Sequence, residues 1–351
     1  MQKTKVLLGM SGGTDSSVAA ILLQQNGYEV TGVTFRFYEP EENNNYIDDA
    51  RMLAKRLGIQ HITYDCRTQF RQTIIHYFIH EYMNGNTPVP CTICNNQLKW
   101  PLLAKLADEQ GISHIATGHY VRKCTLGVNL HIQSGVDSDK DQSFFLWGLP
   151  QHILQRALFP LGGLTKLEVR QIASAHGFTQ IAQKKESMGI CFCPTDYRLF
   201  LRNEVPDNRF QRGAFVDEEG HFLGWHEGYP FYTVGQRRGL GIHLNRPVFV
   251  KEIHPQTNRI VLGNYASLLK QRITLTQWYL TDPENALSKN KEFLVKIRYR
   301  KQANRCTLSL GEKDTLIVHL LEPLSAVACG QAAVFYQDNI VIGGGIILFS
   351  V

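Results

Sequence analysis

The sequence predicts an α/β protein in which a doubly wound parallel-sheet domain is followed by two small β-rich domains, a central domain and a C-terminal β-barrel. Over the first 120 residues, apolar strands alternate with amphipathic helices. This order requires right-handed crossovers and gives a parallel sheet that is covered on both faces. After about residue 207, helical periodicity gives way to short β-branched and aromatic runs separated by turn residues, which is typical of small barrels.

The amino-terminal elements are predicted from apolar runs and from the glycines that end helices. Gly58 and Gly111 each follow an amphipathic stretch, and glycine most easily takes the left-handed conformation that ends a helix. The strands are predicted at Lys5–Gly9, Glu29–Phe35, His61–Asp65 and His114–Thr117, and the helices at Ser16–Gln25, Ile47–Leu57, Phe70–Met83 and Leu98–Gln110.

A β-hairpin and three helices are predicted next. The hairpin covers Tyr120–Gln133, with its turn near Gly127. Thr165 and Glu168 have the spacing of a capping box, in which each side chain caps the backbone of the other. The helices are predicted at Asp141–Trp147, Lys166–His176 and Tyr197–Asn203.

The carboxyl-terminal half is predicted to consist of short strands. Breaker residues in Pro206–Arg212 mark one domain boundary, and a break near Asp282–Lys291 marks a second. We therefore expect domains at residues 1–205, 206–280 and 281–351. The strands are predicted at Pro247–Ile253, Arg259–Leu262, Phe293–Tyr299, Thr315–Leu320 and Ala332–Tyr336.

Composition excludes several classes of protein. Hydrophobic residues make up 43% of the 351 residues and charged residues 19%, which is ordinary for a globular chain. The longest uncharged apolar run, Ile340–Ser350, is about half of the ~20 residues that span a bilayer, and no signal-peptide pattern is seen. We therefore expect a cytoplasmic location and no membrane partner. The net charge of +6 favours an anionic partner.

A loop rich in glycine and serine, Gly9–Ser17, joins the first predicted strand to the first helix. Glycines let the main chain approach a ligand closely, and a helix N-terminus offers N–H groups and a positive dipole to phosphate. The loop lacks the Gly-Lys-Ser/Thr ending of a Walker A motif. It predicts a pyrophosphate site in which Asp15 could hold a magnesium ion.

Two pairs of cysteines lie in motif-like loops. Cys91 and Cys94 have C-x-x-C spacing close to the start of a predicted helix, and Cys191 and Cys193 lie a hundred residues downstream. A helix N-terminus lowers a thiol pKa, so we expect Cys94 to be reactive. The two loops suit a relay of sulfur between thiols, although buried structural thiols stay an open alternative. The other four cysteines are expected to be structural: Cys66, Cys124, Cys306 and Cys329.

The sequence of Ser11–Ser17 resembles the PP-loop of the ATP pyrophosphatases, which cleave ATP between its α- and β-phosphates. Five further segments extend the resemblance over essentially the whole chain, and the combination is similar to the tRNA-specific 2-thiouridylases. These enzymes replace the 2-oxygen of the wobble uridine with sulfur. The five segments are Ala116–Tyr120, Lys140–Ser143, Gly189–Cys191, Tyr232–Ile242 and Lys296–Arg300.

The resemblance implies a role for each matching residue. Cys94 matches the family's nucleophile, and Cys191 matches the cysteine that carries a persulfide. The residues expected to bind ATP are Gly9, Met10, Ser11, Gly12, Gly13, Thr14, Asp15 and Ser16 at the phosphates, and Phe35 and Gly118 at the adenosine. The residues expected to contact tRNA are His119, Lys140, Asp141, Gln142, Arg298, Tyr299 and Gln331.

The resemblance also implies the reaction and its partners. ATP, with Mg²⁺, would adenylate the 2-oxygen of the uridine, and the Cys191 persulfide would then supply sulfur while Cys94 attacks it to form a disulfide. A sulfur-donor protein and a reductant are therefore expected. Two other interpretations stay open: a PP-loop synthetase or amide ligase, and a tRNA-binding protein whose catalysis has decayed.

One departure from the family pattern concerns the first cysteine pair. This chain has Val89-Pro90-Cys91 where the family usually has Asn-Pro-Asp, so the role of the missing aspartate is in doubt. The change creates an auxiliary thiol, and Cys91, Cys94 and Cys191 could together ligate a [4Fe–4S] cluster or zinc. A redox relay is favoured over a metal. A milder change is Glu186, in a segment where the family usually has Lys-Lys-Asp-Ser.

A basic segment lies in the predicted barrel. Lys291–Arg305 contains six basic residues and one acidic residue, Glu292. On a continuous strand, Lys296, Arg298 and Arg300 would share one face. Such a row could hold RNA phosphates, with Tyr299 close enough to stack on a base.

Overall fold

The computed structural model describes residues 3–38, 45–178, 189–300 and 303–351. The chain forms two compact units. The first comprises Met1–Ile74, Cys91–Pro194 and Asn339–Ile342, and the second comprises Ile75–Pro90, Thr195–Asp338 and Gly343–Val351. Among the described residues, no helix has both the length and the apolar character needed to cross a bilayer.

Five parallel strands form the sheet of the first unit, in the order β3-β2-β1-β4-β7. The order reverses at β1, which is the doubly wound arrangement that the sequence predicts. Two further strands, β5 and β6, form the predicted antiparallel hairpin. The strands are β1 (Lys5–Gly9), β2 (Glu29–Arg36), β3 (Gln60–Asp65), β4 (His114–Thr117), β5 (Val121–Leu126), β6 (Asn129–Ser134) and β7 (Ala157–Leu158).

The helices agree with the predicted ones in position, but several begin earlier. Two of the long helical stretches are interrupted by π-helical segments, at Arg71–Ile75 and Cys94–Lys99. The stretch predicted from Leu98 begins at Pro90, because proline at the first position of a helix loses no hydrogen bond. The α-helices are Thr14–Gln25, Asn45–Leu57, Arg67–Phe70, His76–Met83, Pro90–Ile93, Trp100–Glu109, Gln151–Arg156, Lys166–Ala175, Tyr197–Glu204 and Pro283–Ala286.

The helix predicted at Asp141–Trp147 is wrong. That segment contains only a single 3₁₀ turn, Ser143–Phe145. The Asp141 carboxylate accepts hydrogen bonds from the backbone N–H groups of Gly135 and Ser143 and from the Ser143 hydroxyl. An aspartate that bonds nearby backbone in this way stabilises a turn in competition with a helix.

A buried apolar core joins β1 to the helices beside it. It contains Val6 and Leu8 of β1, Val18 and Ile21 of the Thr14–Gln25 helix, and Val169 of the Lys166–Ala175 helix. The predicted capping box is present: the Glu168 N–H donates to Thr165 Oγ1, and the Thr165 N–H donates to Glu168 Oε2. The core therefore holds the starts of both helices at the same end of the sheet.

The second unit contains two β-structures. The smaller sheet has the order β10-β11-β8-β9, and the larger structure is a closed six-stranded barrel of order β12-β15-β14-β13-β16-β17, in which β12 pairs with β17. β12 lies ahead of residue 281, where the last domain is expected to begin. The strands are β8 (Gly213–Val216), β9 (Phe222–His226), β10 (Phe249–His254), β11 (Arg259–Gly263), β12 (Leu269–Leu280), β13 (Phe293–Lys296), β14 (Asn304–Leu310), β15 (Leu316–Ser325), β16 (Ala332–Gln337) and β17 (Ile340–Ser350).

Candidate functional site

The glycine- and serine-rich loop lies at the carboxyl end of β1, where the strand order of the sheet reverses. In doubly wound folds, ligands bind in the crevice at this point. Gly12 has a φ of +72°, and a Cβ at this position would lie 2.9 Å from the backbone nitrogen of Ala50. Glycine is therefore required at position 12 by both the backbone conformation and the close approach of the neighbouring helix.

Hydroxyl groups stabilise the turn from the loop into the helix. Gly13 is the N-cap residue of the Thr14–Gln25 helix, and its carbonyl accepts hydrogen bonds from the hydroxyls of Ser16 (3.1 Å) and Ser17 (2.8 Å). The backbone N–H of Ser11 donates to Ser16 Oγ at 3.3 Å. The loop thus brings its own N–H groups and the positive end of a helix to one place, an arrangement that suits a phosphate group.

Asp15, in the first turn of that helix, belongs to a polar cluster. Its Oδ1 accepts hydrogen bonds from the Tyr120 hydroxyl and from the Lys166 ammonium group, each at 2.7 Å. Lys166 is the first residue of its own helix and is largely buried, with its side chain 10% exposed. A buried lysine beside a phosphate-type loop supplies a positive charge close to where polyphosphate would lie.

The predicted adenosine residues lie in the same unit. Phe35, in β2, is buried in an aromatic cluster with Phe37 and Tyr64, whose ring centroids lie 5.4 and 6.2 Å away. Gly118 directly follows β4, and a Cβ there would lie 3.1 Å from the Asp15 carbonyl carbon. Gly118 therefore allows the end of β4 to approach the first helical turn.

The first cysteine pair lies in a helix, and the expectation that Cys94 has a lowered pKa is wrong. The helix begins at Pro90, and Cys94 is buried at the start of the Cys94–Lys99 π-helical segment. Burial raises the pKa of Cys94 to about 11, and only the charge of Lys99 opposes this rise. Burial likewise raises the pKa of Cys91, and Lys99 again opposes it.

The second pair lies in a tight loop closed by a bridge between Ile190 and Cys193. Phe192 is buried against Phe70, while Cys191 is exposed. The protein atoms around the Cys191 thiol desolvate its charged form and raise its pKa to about 12. The thiols of Cys94 and Cys91 raise this pKa as well. Solvent reaches the Cys191 residue, but the pKa of its thiol is raised at least as far as that of the buried Cys94. The predicted segment around Glu186 lies outside the described residues.

The three thiols named from the sequence thus lie in one unit and affect each other's ionisation. Among the described residues, the one set of three His, Cys, Asp or Glu ligand atoms lying within 4.8 Å of one another is Asp217, Glu219 and His221. Thiolates around zinc lie closer than this, since each Zn–S bond is about 2.3 Å. The donor chemistry of Cys91, Cys94 and Cys191 fits a thiolate-ligated group, but their placement is not that of a preformed zinc site.

The first four predicted tRNA-contacting residues also lie in the first unit. His119 Nδ1 lies 2.6 Å from Thr117 Oγ1, and its ring stacks on Trp100. Burial lowers the pKa of His119 to about 3, with a smaller contribution from Lys99, so the imidazole is neutral at pH 7. Gln142 accepts a hydrogen bond from the Tyr120 N–H. Lys140 and Asp141 lie in the same turn segment, in which Asp141 caps the Ser143 turn.

The other three predicted tRNA-contacting residues lie in the second unit. The expectation that Lys296, Arg298 and Arg300 share a strand face is wrong, because β13 ends at Lys296 and the chain then turns. Arg298 donates to the Ala326 carbonyl and is half-buried, and burial lowers its pKa. Tyr299 lies in the same turn.

Gln331, the last of them, supports the segment that precedes the first cysteine pair. Its amide group donates to the carbonyls of Thr87 (3.0 Å) and Pro88 (3.1 Å). The neighbouring Gly330 has a φ of +85°, and a Cβ there would lie 2.8 Å from the Thr87 carbonyl oxygen. This turn therefore orients Thr87 and Pro88 through direct hydrogen bonds.

Sequence reasoning missed three residues of these clusters. Lys99 influences all three thiols and His119, while Tyr120 and Lys166 contact Asp15. No local motif marks Lys99, because its placement depends on the π-helical segment. Lys166 is adjacent to the capping box, but its contact with residue 15 depends on the pairing of distant helices.

The fold and the loop define a nucleotide-binding PP-loop protein with β-rich carboxyl-terminal domains. Family models match nearly all of the chain: a tRNA methyl transferase HUP domain at residues 4–195, a tRNA methyl transferase PRC-barrel domain at 198–264 and an aminomethyltransferase beta-barrel domain at 270–347. This chain belongs to the family of the tRNA-specific 2-thiouridylases.

Full-length relatives support that assignment. The chain is 61% identical to tRNA-specific 2-thiouridylase MnmA 2 of Phocaeicola vulgatus, with 98% of each chain covered. It is 59% identical to MnmA 1 of Bacteroides fragilis over 100% of this chain and 99% of the relative. It is 42% identical to MnmA of Cytophaga hutchinsonii, with 98% and 97% covered.

Proposed function

We propose that this chain is an ATP-dependent tRNA 2-thiouridylase that converts the wobble uridine of tRNA to 2-thiouridine. The observation that carries the proposal is that the phosphate-type loop and the thiols of Cys91, Cys94 and Cys191 belong to one compact unit. Full-length relatives named tRNA-specific 2-thiouridylases support the same activity.

ATP is the activating substrate in this proposal. The uridine 2-oxygen attacks the α-phosphorus, an O–P bond forms, the bond to the β-phosphate breaks, and pyrophosphate leaves. The N–H groups of Gly9–Ser16 and the Lys166 ammonium group stabilise the negative charge of the phosphates. Phe35 and Gly118 line the adenosine pocket. Mg²⁺, which needs only one or two protein carboxylates, would neutralise part of the phosphate charge, and Asp15 would hold it through the carboxylate oxygen that is not bonded to Lys166.

The thiols carry out the second half of the reaction. A persulfide-bearing donor protein loads a sulfur atom onto Cys191. The Cys94 thiolate then attacks the Cys191 sulfur, a Cys94–Cys191 disulfide forms, and the terminal sulfur leaves with the electron pair of the S–S bond that breaks. That sulfur bonds to C2 of the uridine and AMP departs. A dithiol reductant restores both thiols. Cys91 is an auxiliary thiol beside this pair.

Several residues contact tRNA in this proposal: His119, Lys140, Asp141, Gln142, Arg298, Tyr299 and Gln331. The catalytic chemistry belongs to residues 1–205, and residues 281–351, which form the barrel together with β12, supply the remaining tRNA contacts. The target base must leave its stack to react, as in other enzymes that modify bases. Access to tRNA and to reduced thiols places the enzyme in the cytoplasm.

A cluster-dependent version of the same thiolation is the second candidate. It is favoured by one observation, the mutual influence of Cys91, Cys94 and Cys191 on their ionisation. These three residues would hold a [4Fe–4S] cluster, which when bound supplies a site that accepts sulfide. The visible absorption spectrum of anaerobically purified protein distinguishes the two versions, because an iron–sulfur cluster absorbs visible light and free thiols do not.

The activity is tested with purified protein, tRNA, ATP and a persulfide donor, with tRNA nucleosides analysed by mass spectrometry. We expect 2-thiouridine with the wild-type chain and none with Cys94→Ala or Cys191→Ala. Cys124→Ala is the matched control and should keep full activity. Thiolation that survives either cysteine substitution would contradict the proposed relay. An amide ligase would be favoured if the wild type made no 2-thiouridine but cleaved ATP to AMP and pyrophosphate, with that activity intact in both cysteine variants. No tRNA-dependent ATP–pyrophosphate exchange in the wild type would indicate a binding protein only.

A further inference from the structure

The cysteine turn, residues 190–193, directs two adjacent residues into different environments. The backbone N–H of Cys193 donates to the Ile190 carbonyl at 2.9 Å and closes the turn, and the two residues between them are Cys191 and Phe192. Cys191 is exposed, whereas Phe192 is only 3% exposed. The turn therefore keeps Cys191 at the surface while it buries the neighbouring aromatic ring.

The Phe192 ring belongs to a continuous row of aromatic rings. Its centroid lies 5.7 Å from that of Phe70 and 6.2 Å from that of Tyr38, both in edge-to-face geometry. Phe70 in turn packs against Phe37 at 5.1 Å, and Phe37 stacks on Phe35 at 5.4 Å. Aromatic pairs in these arrangements attract each other beyond the effect of burial. The row thus connects the cysteine turn to Phe35, the ring that lines the proposed adenosine pocket.

The parallel sheet supports this aromatic row. Phe35 lies in β2, and Phe70 ends the short helix that directly follows β3. β2 and β3 pair with each other along their length, with Phe35 opposite Tyr64. Phe70 is completely buried and Phe35 is nearly so. Phe192 therefore packs on side chains that regular secondary structure already holds, which is the kind of support that fixes the geometry of a reactive group.

Sulfur transfer depends on where Cys191 is held, because reacting atoms must approach to about 3–3.5 Å and a misplacement of about 1 Å can slow a reaction roughly 100-fold. We propose that Phe192 is a positioning residue whose buried ring fixes the cysteine turn on the aromatic row and so holds Cys191 in place during sulfur transfer. This inference rests on the proposed function for its purpose. Adenylation uses the loop at the end of β1, so loss of the Phe192 ring should slow sulfur transfer and leave adenylation intact.

The first experiment compares the two half-reactions in Phe192→Ala. The rate of 2-thiouridine formation at saturating tRNA, ATP and persulfide donor is measured by mass spectrometry, and tRNA-dependent ATP–pyrophosphate exchange is measured in parallel. We expect thiolation to fall about tenfold or more, because Cys191 loses its fixed position. The exchange rate and its KM for ATP should stay at the wild-type values. Unchanged thiolation overturns the inference, and so does an equal fall in thiolation and exchange.

Further variants separate positioning from a general loss of packing. Phe192→Leu keeps a large apolar side chain and should restore most of the thiolation rate, and Phe192→Val should give an intermediate rate. Phe215→Ala is the matched control, since it removes a buried ring with an edge-to-face partner, Tyr232 at 5.2 Å, from the second unit. It should keep the wild-type ratio of thiolation to exchange. The inference fails if Phe192→Leu is as slow as Phe192→Ala, or if Phe215→Ala lowers the ratio equally.

A second measurement, made without tRNA, tests whether the ring holds the turn. Hydrogen exchange of the Cys193 amide, which donates to the Ile190 carbonyl, is followed by mass spectrometry with fragmentation to single residues. We expect this exchange to be at least about threefold faster in Phe192→Ala, because it reports local opening, and unchanged in Phe215→Ala. A wild-type exchange rate in Phe192→Ala overturns the inference. A wild-type enzyme that makes no 2-thiouridine would instead overturn the proposed function, and exchange at Cys193 would still show whether Phe192 holds the turn.

Discussion

At the scale of single residues, Gly12 has the most demanding position in the loop. Its φ of +72° is strained for any residue with a side chain, and a Cβ would lie 2.9 Å from two atoms of the neighbouring helix, Asp49 Cβ and the Ala50 nitrogen. Relieving these contacts requires the loop to move away from that helix. We predict that Gly12→Ala lowers tRNA-dependent ATP–pyrophosphate exchange by about fivefold or more, since left-handed backbone strain and the clash together cost about 1–3 kcal/mol.

Gly27 offers a matched control for that substitution. Its φ is +84°, but a Cβ there would have no atom within 4 Å. Gly27→Ala therefore carries similar backbone strain without a clash and without contact to the loop. Both variants should lose a similar amount of stability from strain, while exchange activity should fall only in Gly12→Ala. Equal exchange rates in the two variants would show that the loop does not depend on the close approach at Gly12.

The identity of the site residues could be predicted from sequence, but their ionisation could not. The loop residues and the four motif cysteines were recognisable from spacing and resemblance. The reactivity of Cys94 depends on how deeply it is buried, and a helix start near Cys94 predicted a lowered pKa whereas burial raises it to about 11. The burial of Cys94 depends on residues that are distant in sequence, so no local sequence pattern predicts it.

At the scale of elements, the Lys166–Ala175 helix begins with the capping box that the sequence predicts, and its first residue contacts Asp15 of the candidate site. The capping box between Thr165 and Glu168 stabilises the first turn, and that turn carries Lys166 to Asp15. We predict that Thr165→Ala lowers the free energy of unfolding by about 1 kcal/mol, because a backbone N–H at the helix start loses its partner. The shift in the urea midpoint, measured by circular dichroism, checks this.

The matched control for the cap is Thr165→Ser, which keeps the hydroxyl and should retain most of the stability. A Thr165→Ser variant as unstable as Thr165→Ala would mean that the methyl group, and not the capping hydrogen bond, matters at this position. The prediction would also be contradicted by an unchanged midpoint in Thr165→Ala.

Elements with a strong periodic pattern of apolar residues could be predicted from the sequence. Segments in which a side chain competes for backbone hydrogen bonds could not. The four parallel strands and the hairpin follow from apolar runs and turn glycines. The helix expected at Asp141–Trp147 is replaced by a turn, because the Asp141 carboxylate bonds to the backbone of Gly135 and Ser143. The π-helical segments also leave no signal in the apolar periodicity.

At the scale of the whole molecule, the barrel shows what sequence patterns omit. Strand runs predicted a β-rich half, but closure depends on the pairing of β12 with β17, whose residues are far apart in the chain. The basic residues of the Lys296–Arg300 segment were expected on one face, yet the strand ends at Lys296 and the chain turns there. The pairing of strands that are distant in sequence therefore determines which charged residues lie together on the barrel.

Both units contain a histidine that is kept neutral by burial, and this makes the whole molecule sensitive to acid. In the second unit, His226 is 1% exposed and its Nδ1 accepts a hydrogen bond from the Gly228 N–H. Burial lowers the pKa of His226 to about 4. The unfolded chain binds a proton below about pH 6.5, so the folded form is fully favoured above that pH and loses this stability as the pH falls toward 4.

We therefore predict that the free energy of unfolding falls between pH 7.5 and pH 5, with His226 contributing a loss of about 2 kcal/mol at pH 5. His226→Gln cannot titrate and keeps an acceptor for the Gly228 N–H, so its urea midpoint should change less between the two pH values than that of the wild type. His254→Gln, at an exposed histidine of the same unit, should behave like the wild type. An equal loss of stability in wild type and His226→Gln would show that other groups govern the acid sensitivity.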